Sequence, residues 1–427
     1  MTTTGWKEKD DRTIAEIRAY LTREKLDAFI PWKVPHLAYL TNYFDQLHMN
    51  ILWEEMMAVL VIPLDSAPFI VGEHQSWAGS SEFGVAPWWL EERHSTNRPG
   101  RNALERTVEL LKEKGLGTGR IGIETLWMPV AAHDYLRSAL PDAEFVSADT
   151  LVPQIRFIKT SREQELMKKA ADTGIRAMEA YMQAIRSGLS RTEAQRLRAQ
   201  RALDYGGEWV GGVSRHAWTG GTDETPAWWD ADARRRFLST TARNWKGLPD
   251  DSPVCVTHYS AIFQYYFSDL AWHEFYGPEP AESEMLQWVD REIPFHDARR
   301  DFEILRRVQK EALEPIRPGM SHLEAKAAVD AWLAADAESK EHITNYYIHG
   351  IGLEIHEEPV LTGSVPIPTP ADVPILFQPG AVVSSEWFTQ LWTVEEPFVL
   401  TESGWEPLAE LKDLTDPAAL LCTQVNR

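Results

Sequence analysis

The chain has 427 residues, more than one hydrophobic core usually covers, so two domains are expected. A formal net charge of -21 repels phosphate backbones and anionic membranes, which excludes nucleic acid and membrane as partner classes, and no run of the sequence approaches a membrane span. With only Cys255 and Cys422 there is no disulfide framework and no cysteine-based zinc site, and Met1 to Asp11 lacks the apolar core of a signal peptide, so a cytoplasmic protein is expected.

In chain order, Asp11 to Glu24 has a helical pattern, and Ala28 to Ile30, Met57 to Ile62 and Pro68 to Val71 are short apolar strands. Arg101 to Lys114 is an amphipathic helix, and Arg120 to Glu124 is a further strand. This alternation predicts an α/β N-terminal domain, and without a Gly-rich phosphate loop it carries no nucleotide site. The character changes over Val152 to Lys159. A long helix follows from Thr160 to about Arg186, opened by the capping-box spacing of Thr160 and Glu163, which recurs at Ser190 and Glu193. The boundary is placed near residue 156, giving domains 1–155 and 156–427.

The second domain contains a repeat. Ile185-Arg186-Ser-Gly188-Leu-Ser190-Arg-Thr-Glu193-Ala194 returns 131 positions later as Ile316-Arg317-Pro-Gly319-Met-Ser321-His-Leu-Glu324-Ala325. Helix, Gly turn and capped helix recur in register, which predicts a duplicated domain with a cleft between its halves.

Tyr347 to Pro359 sets His349 and His356 seven residues apart around a Gly-x-Gly kink. Imidazoles titrate near neutrality and serve as ligand, acid or base. A His pair in a surface loop is the ordinary alternative. Two hairpins offer carboxylates to the same cleft. Val254 to His258 with Tyr265 to Phe275 sets His258 opposite Asp269, and Ala381 to Trp387 with Trp392 to Leu400 sets Glu386 opposite Glu395. Opposed residues have Cβ atoms about 4.5 to 5.5 Å apart. Carboxylates so close either share a proton or hold a cation.

These residues resemble a family. His349-Gly350-Ile351-Gly352 with His356-Glu357-x-Pro359, then Pro379-Gly380-x-Val382-x-Ser384-x-Glu386, then Val394-Glu395-x4-Leu400-Thr401-Glu402-x-Gly404, resemble the creatinase, prolidase and methionine aminopeptidase superfamily. Arg156 to Ala170 is similar to its domain-joining helix. The resemblance implies an α/β creatinase-type N-terminal domain and an α+β pita-bread catalytic domain with an internal pseudo-two-fold repeat. It further implies a homodimer in which the N-terminal domain lines the partner's active site. Metal-dependent members hold two divalent ions with two Asp, one His and two Glu. Asp269, His349, Glu386 and Glu395 match four of these, and His258 stands at the first Asp. Thr240 or Thr241 falls where the catalytic His is expected, and Thr393-Val394-Glu395 replaces Arg-x-Glu.

A neutral imidazole binds through one nitrogen and brings no charge, so His258 argues against the dinuclear site. Two readings stay open. One divalent ion, Zn, Fe or Mn, is held by His258, Asp269, His349, Glu386 and Glu395, or the site works without metal, as creatinase does, with His349, His356, Glu386 and Glu395 in acid-base roles. The expected activity is hydrolysis or elimination at a C–N or similar bond of a small non-peptide substrate. The alternatives are a metal-dependent Xaa-Pro dipeptidase and a catalytically inactive binding protein of the same fold. An ungapped match through Asn42-Tyr43 sets Leu52 and Glu54 where creatinase grips a carboxylate with an aromatic residue and an Arg. With Trp53, Trp272 and Trp387, that reversal predicts a pocket for a cationic or flat group, since Trp faces attract cations by about 0.5 to 2 kcal/mol. Core packing is the alternative for any single Trp.

Overall fold

The computed structural model describes residues 4–42, 58–73, 87–96, 101–187, 191–207, 254–258, 261–275, 285–288, 291–362, 374–389 and 393–409. Trp53, Glu54, Ser190, Thr240 and Thr241 lie outside the described residues. Contacts divide the chain into two compact units, the first running to Arg156 and the second starting at Phe157.

Six strands form the sheet of the first unit: β1 (Ala28–Ile30), β2 (Ala58–Pro63), β3 (Phe69–Glu73), β4 (Glu92–Thr96), β5 (Arg120–Ile123) and β6 (Glu144–Ser147), in the order β4-β3-β2-β1-β5-β6. β1, β5 and β6 run parallel, as do β3 and β4, while β2 is antiparallel to both neighbours. Every residue of β1 and β2 is buried, as expected of strands covered on both faces. Ala28, Ile30, Val59 and Val61 pack with Leu104, Val108 and Leu111, the i, i+4, i+7 stripe of the helix Arg101–Glu113.

In the second unit the helix Ser161–Arg186 begins at the foreseen cap. Thr160 N and Oγ1 both donate to Glu163 Oε2, at 2.8 and 2.7 Å. Its buried stripe runs through Leu166, Met167, Ala170, Ala171, Ala177, Met178 and Tyr181. Gly174 interrupts that stripe where a Cβ would stand 2.7 Å from Leu270 Cδ1, so a larger residue there would have to displace the Leu270 side chain beside Asp269. The matching helix of the second half is Phe295–Glu311, followed by a turn with Gly319 at φ +92° and the capped helix His322–Ala335.

The strands of this unit are β7 (Val254–His258), β8 (Ile262–Phe263), β9 (Tyr266–Phe267), β10 (Ala271–Phe275), β11 (Met285–Trp288), β12 (Arg291–Pro294), β13 (Asn345–Gly350), β14 (Glu357–Thr362), β15 (Val382–Phe388), β16 (Thr393–Thr401) and β17 (Gly404–Pro407). An antiparallel sheet has the order β14-β13-β15-β16-β10-β7, with β17 on β16. The two halves join inside this sheet, where β10 meets β16 at Ala271 and Glu395. Leu305 and Val308 of the helix Phe295–Glu311 share one core with Ile348, Val383, Trp387, Val394 and Phe398. Each such side chain contributes about 1.5 to 3 kcal/mol by burial, and this core fixes which face of the sheet is left for chemistry.

Candidate active site

Side chains alternate along a strand, so the core assignment determines the other face. Tyr346 and Ile348 on β13, Ser385 and Trp387 on β15, and Val394 and Glu396 on β16 point toward the helix Phe295–Glu311; Ser385 Oγ donates to the Gln309 carbonyl at 2.9 Å. Tyr347, His349, Ser384, Glu386 and Glu395 therefore share the opposite face. The register sets Tyr347 beside Glu386, His349 beside Ser384, and Glu386 beside Glu395, the last as the numbering of that hairpin predicts.

Two expectations are corrected here. His258 pairs with Ala271, not with Asp269. The turn is centred on Gln264 and Tyr265, both at positive φ (49° and 67°), one residue later than expected, and moving the centre of a hairpin by one moves every partner by two. Trp387 is no pocket residue. It is fully buried, stacked on Tyr346 with ring centroids 5.0 Å apart, and donates from Nε1 to Ser385 Oγ at 2.9 Å. One residue after Glu386, it has to face the core. Trp272 lies on β10 opposite Thr257.

His349 is the centre of the arrangement. Its Nδ1 lies 2.9 Å from the Gly350 carbonyl, which can only accept, so Nδ1 carries a proton. Its Nε2 lies 3.2 Å from Glu395 Oε1, which also accepts from Ser384 Oγ at 2.9 Å. Two ligand sets meet at His349: Asp269 with His356, and Glu386 with Glu395. Within each set a ligand atom from every residue lies within 4.8 Å of the others. Asp269, His349 and Glu395 are buried, Glu386 is half-buried and His356 is exposed. An imidazole nitrogen facing a carboxylate, beside a second carboxylate directly across the strand, calls for a proton or a cation between them. The residues present therefore fit a divalent cation.

The loop from Gly350 to His356 is held by Glu357. Its Oε1 accepts from the backbone N–H of Leu353 at 2.7 Å and of Glu354 at 3.3 Å, and its Oε2 lies 3.0 Å from Lys159 Nζ, both side chains buried. Gly352 is required at this point, because a Cβ would stand 2.6 Å from Glu357 Oε1.

Tyr347 and Ser384 belong to the site although sequence reasoning assigned them no role. Burial, then Glu386, Glu395 and Glu358, push the Tyr347 phenol up to about 12, so it stays protonated at neutral pH. The signal was available: Tyr347 precedes His349 by two and Ser384 precedes Glu386 by two, and a period of two keeps each on its neighbour's face.

Comparison with known proteins gives the family. The family described as "Metallopeptidase family M24" matches residues 165–407, and "Creatinase/Prolidase N-terminal domain" matches residues 14–158. The probable dipeptidase PepE of Mycobacterium tuberculosis is 30% identical over 111 residues, which is 26% of this chain and only 28% of that protein's length. The Xaa-Pro dipeptidase of Pyrococcus furiosus is 25% identical over 272 residues, covering 62% of this chain and 67% of that one. Among solved structures, the prolidase from Pyrococcus horikoshii OT3 superposes with a TM-score of 0.62 at 17% identity, over 94% of this chain and 99% of that one. Among the described residues no helix is long and apolar enough to cross a membrane.

Proposed function

Because the chain belongs to metallopeptidase family M24 and carries a creatinase/prolidase N-terminal domain, we propose that it is a hydrolase cleaving a C–N bond of a small non-peptide substrate with one divalent cation, Zn, Fe or Mn, at His349. The observation that carries this reading is His349 Nε2 facing Glu395 Oε1 at 3.2 Å, with Glu386 directly across the strand from Glu395. Nδ1 faces the Gly350 carbonyl, which leaves Nε2 as the one nitrogen His349 can offer to either ligand set, and position 258 brings an imidazole in place of a carboxylate. One available nitrogen and a missing anion support a single ion.

When bound, the cation supplies Lewis acidity toward a substrate oxygen. Asp269, His349, Glu386 and Glu395 would hold it, with Ser384 fixing the Glu395 carboxylate. His356, exposed and packed on His349, gives or takes the proton of the leaving or attacking group, a role worth about 10² to 10⁴ in rate. Tyr347 stays neutral beside them.

A second reading, a Xaa-Pro dipeptidase, is favoured by the names of the relatives, and one experiment separates the two. The purified protein, loaded with Mn²⁺, Fe²⁺ or Zn²⁺ in turn, is assayed against Xaa-Pro dipeptides and against small amides and guanidino compounds. Hydrolysis of dipeptides at a kcat/KM above about 10⁴ M⁻¹s⁻¹ would establish the dipeptidase. Turnover confined to the small non-peptide compounds is the result expected here.

A further inference from the structure

Three aromatic rings close on one another at the centre of the site. Tyr347 lies 4.9 Å from His349 and 5.3 Å from His356 between centroids, and His349 lies 4.5 Å from His356. His356 meets both of the others edge-on, at 84° and 88°. The three differ in how firmly they are anchored. Tyr347 and His349 sit on β13, which is paired on both sides: Tyr347 with Thr362 on β14 and with Glu386 on β15, His349 with Val360 and Ser384. His356 sits in the loop ahead of β14 with its side chain exposed. The exposed His356 imidazole, with a ring nitrogen within 4.8 Å of an Asp269 oxygen, meets two rings at right angles, and these contacts favour one of its rotamers.

We propose that Tyr347 is a positioning residue whose ring, rather than its hydroxyl, holds the His356 imidazole in the orientation in which it exchanges a proton with substrate; this rests on the hydrolase reading above. Edge-to-face packing needs a flat ring at this place and nothing more. Among the described residues the Tyr347 hydroxyl makes no hydrogen bond, while its ring touches both imidazoles. Misplacing a proton donor by about 1 Å costs about 100-fold in rate, so a residue that never touches substrate can control turnover through His356.

The test compares Tyr347→Phe and Tyr347→Ala in the full chain. The His356 Hε1 resonance, assigned with His356→Gln, reports the nearby ring through its ring-current shift and is read without substrate. Wild type and Tyr347→Phe are expected to share one position for it, and Tyr347→Ala to move it toward that of a free histidine. In turnover of whichever compound the wild type hydrolyses, Tyr347→Ala is expected to lower kcat about 100-fold with little change in KM and unchanged metal content, and Tyr347→Phe to restore kcat to within about threefold of wild type. An unmoved His356 resonance in Tyr347→Ala overturns the proposal alone. Equal losses of kcat in the Phe and Ala variants overturn it too, by giving the role to the hydroxyl. A wild-type protein that hydrolyses nothing overturns the hydrolase reading, and with it the catalytic half of this proposal.

Discussion

His349 and Glu395 meet across β15, Nε2 to Oε1 at 3.2 Å. Glu386 faces Glu395 on the neighbouring strand, so two carboxylates share this face beside the His349 imidazole. Glu395→Gln removes one charge and keeps the shape. The variant is expected to unfold at the same temperature as wild type or higher without metal, and to lose most of the stabilisation that excess Mn²⁺ gives wild type, about 2.7 kcal/mol at 100 times Kd. Thermal unfolding with and without Mn²⁺ measures both. A variant retaining the full metal-dependent rise would show that Glu395 is no ligand.

Glu357 is expected to matter for stability more than any ligand does. Glu357→Ala strips the buried Lys159 ammonium of this carboxylate and frees the Leu353 and Glu354 N–H groups it accepts from. Breaking a buried pair in this way costs about 3 to 5 kcal/mol, read as a drop in the denaturant midpoint at unchanged slope. In a Lys159→Met background the same substitution should cost visibly less, because the ammonium left behind is then gone. Equal costs in both backgrounds would mean that the pair is not coupled.

How much of this was legible in the sequence depended on turns and on alternation. The Glu386–Glu395 pair followed from hairpin symmetry, and the Thr160–Glu163 cap from residue chemistry alone. The first hairpin was misplaced because its turn uses Gln264 and Tyr265 at positive φ, residues that give none of the Gly or Asn signal such a turn usually shows. Trp387 was read from its type, as an aromatic surface for a cation. Its position next to Glu386 already required the opposite face. Tyr347 was passed over because a tyrosine in a strand is ordinary, and only the packing of three rings gives it a role. The Glu357 clip joins residues 198 positions apart, and no local pattern reports it.

On the core face of β16, burial pushes the Glu396 carboxyl up to about 7, against the pull of Arg306, Lys310 and the hydrogen bond from Gln309. A value above the ordinary carboxylate range means that the folded chain holds the proton. This group's contribution to stability is fully present below the ordinary range and declines as pH rises through about 7, by on the order of 3 kcal/mol in all. Glu396→Gln keeps the hydrogen bonding and cannot ionise. Variant and wild type are expected to be equally stable near about pH 4 and the variant more stable near about pH 8 by chemical denaturation. Parallel pH profiles would contradict this.

The number of metal ions per chain tests the account most directly. After loading with excess Mn²⁺ and removal of free ion, elemental analysis of the wild type should give one equivalent, because Nε2 is the one nitrogen His349 can offer an ion and position 258 offers no carboxylate. His258→Asp restores the missing anion and should admit a second. Two equivalents in the wild type, or none, would contradict the account.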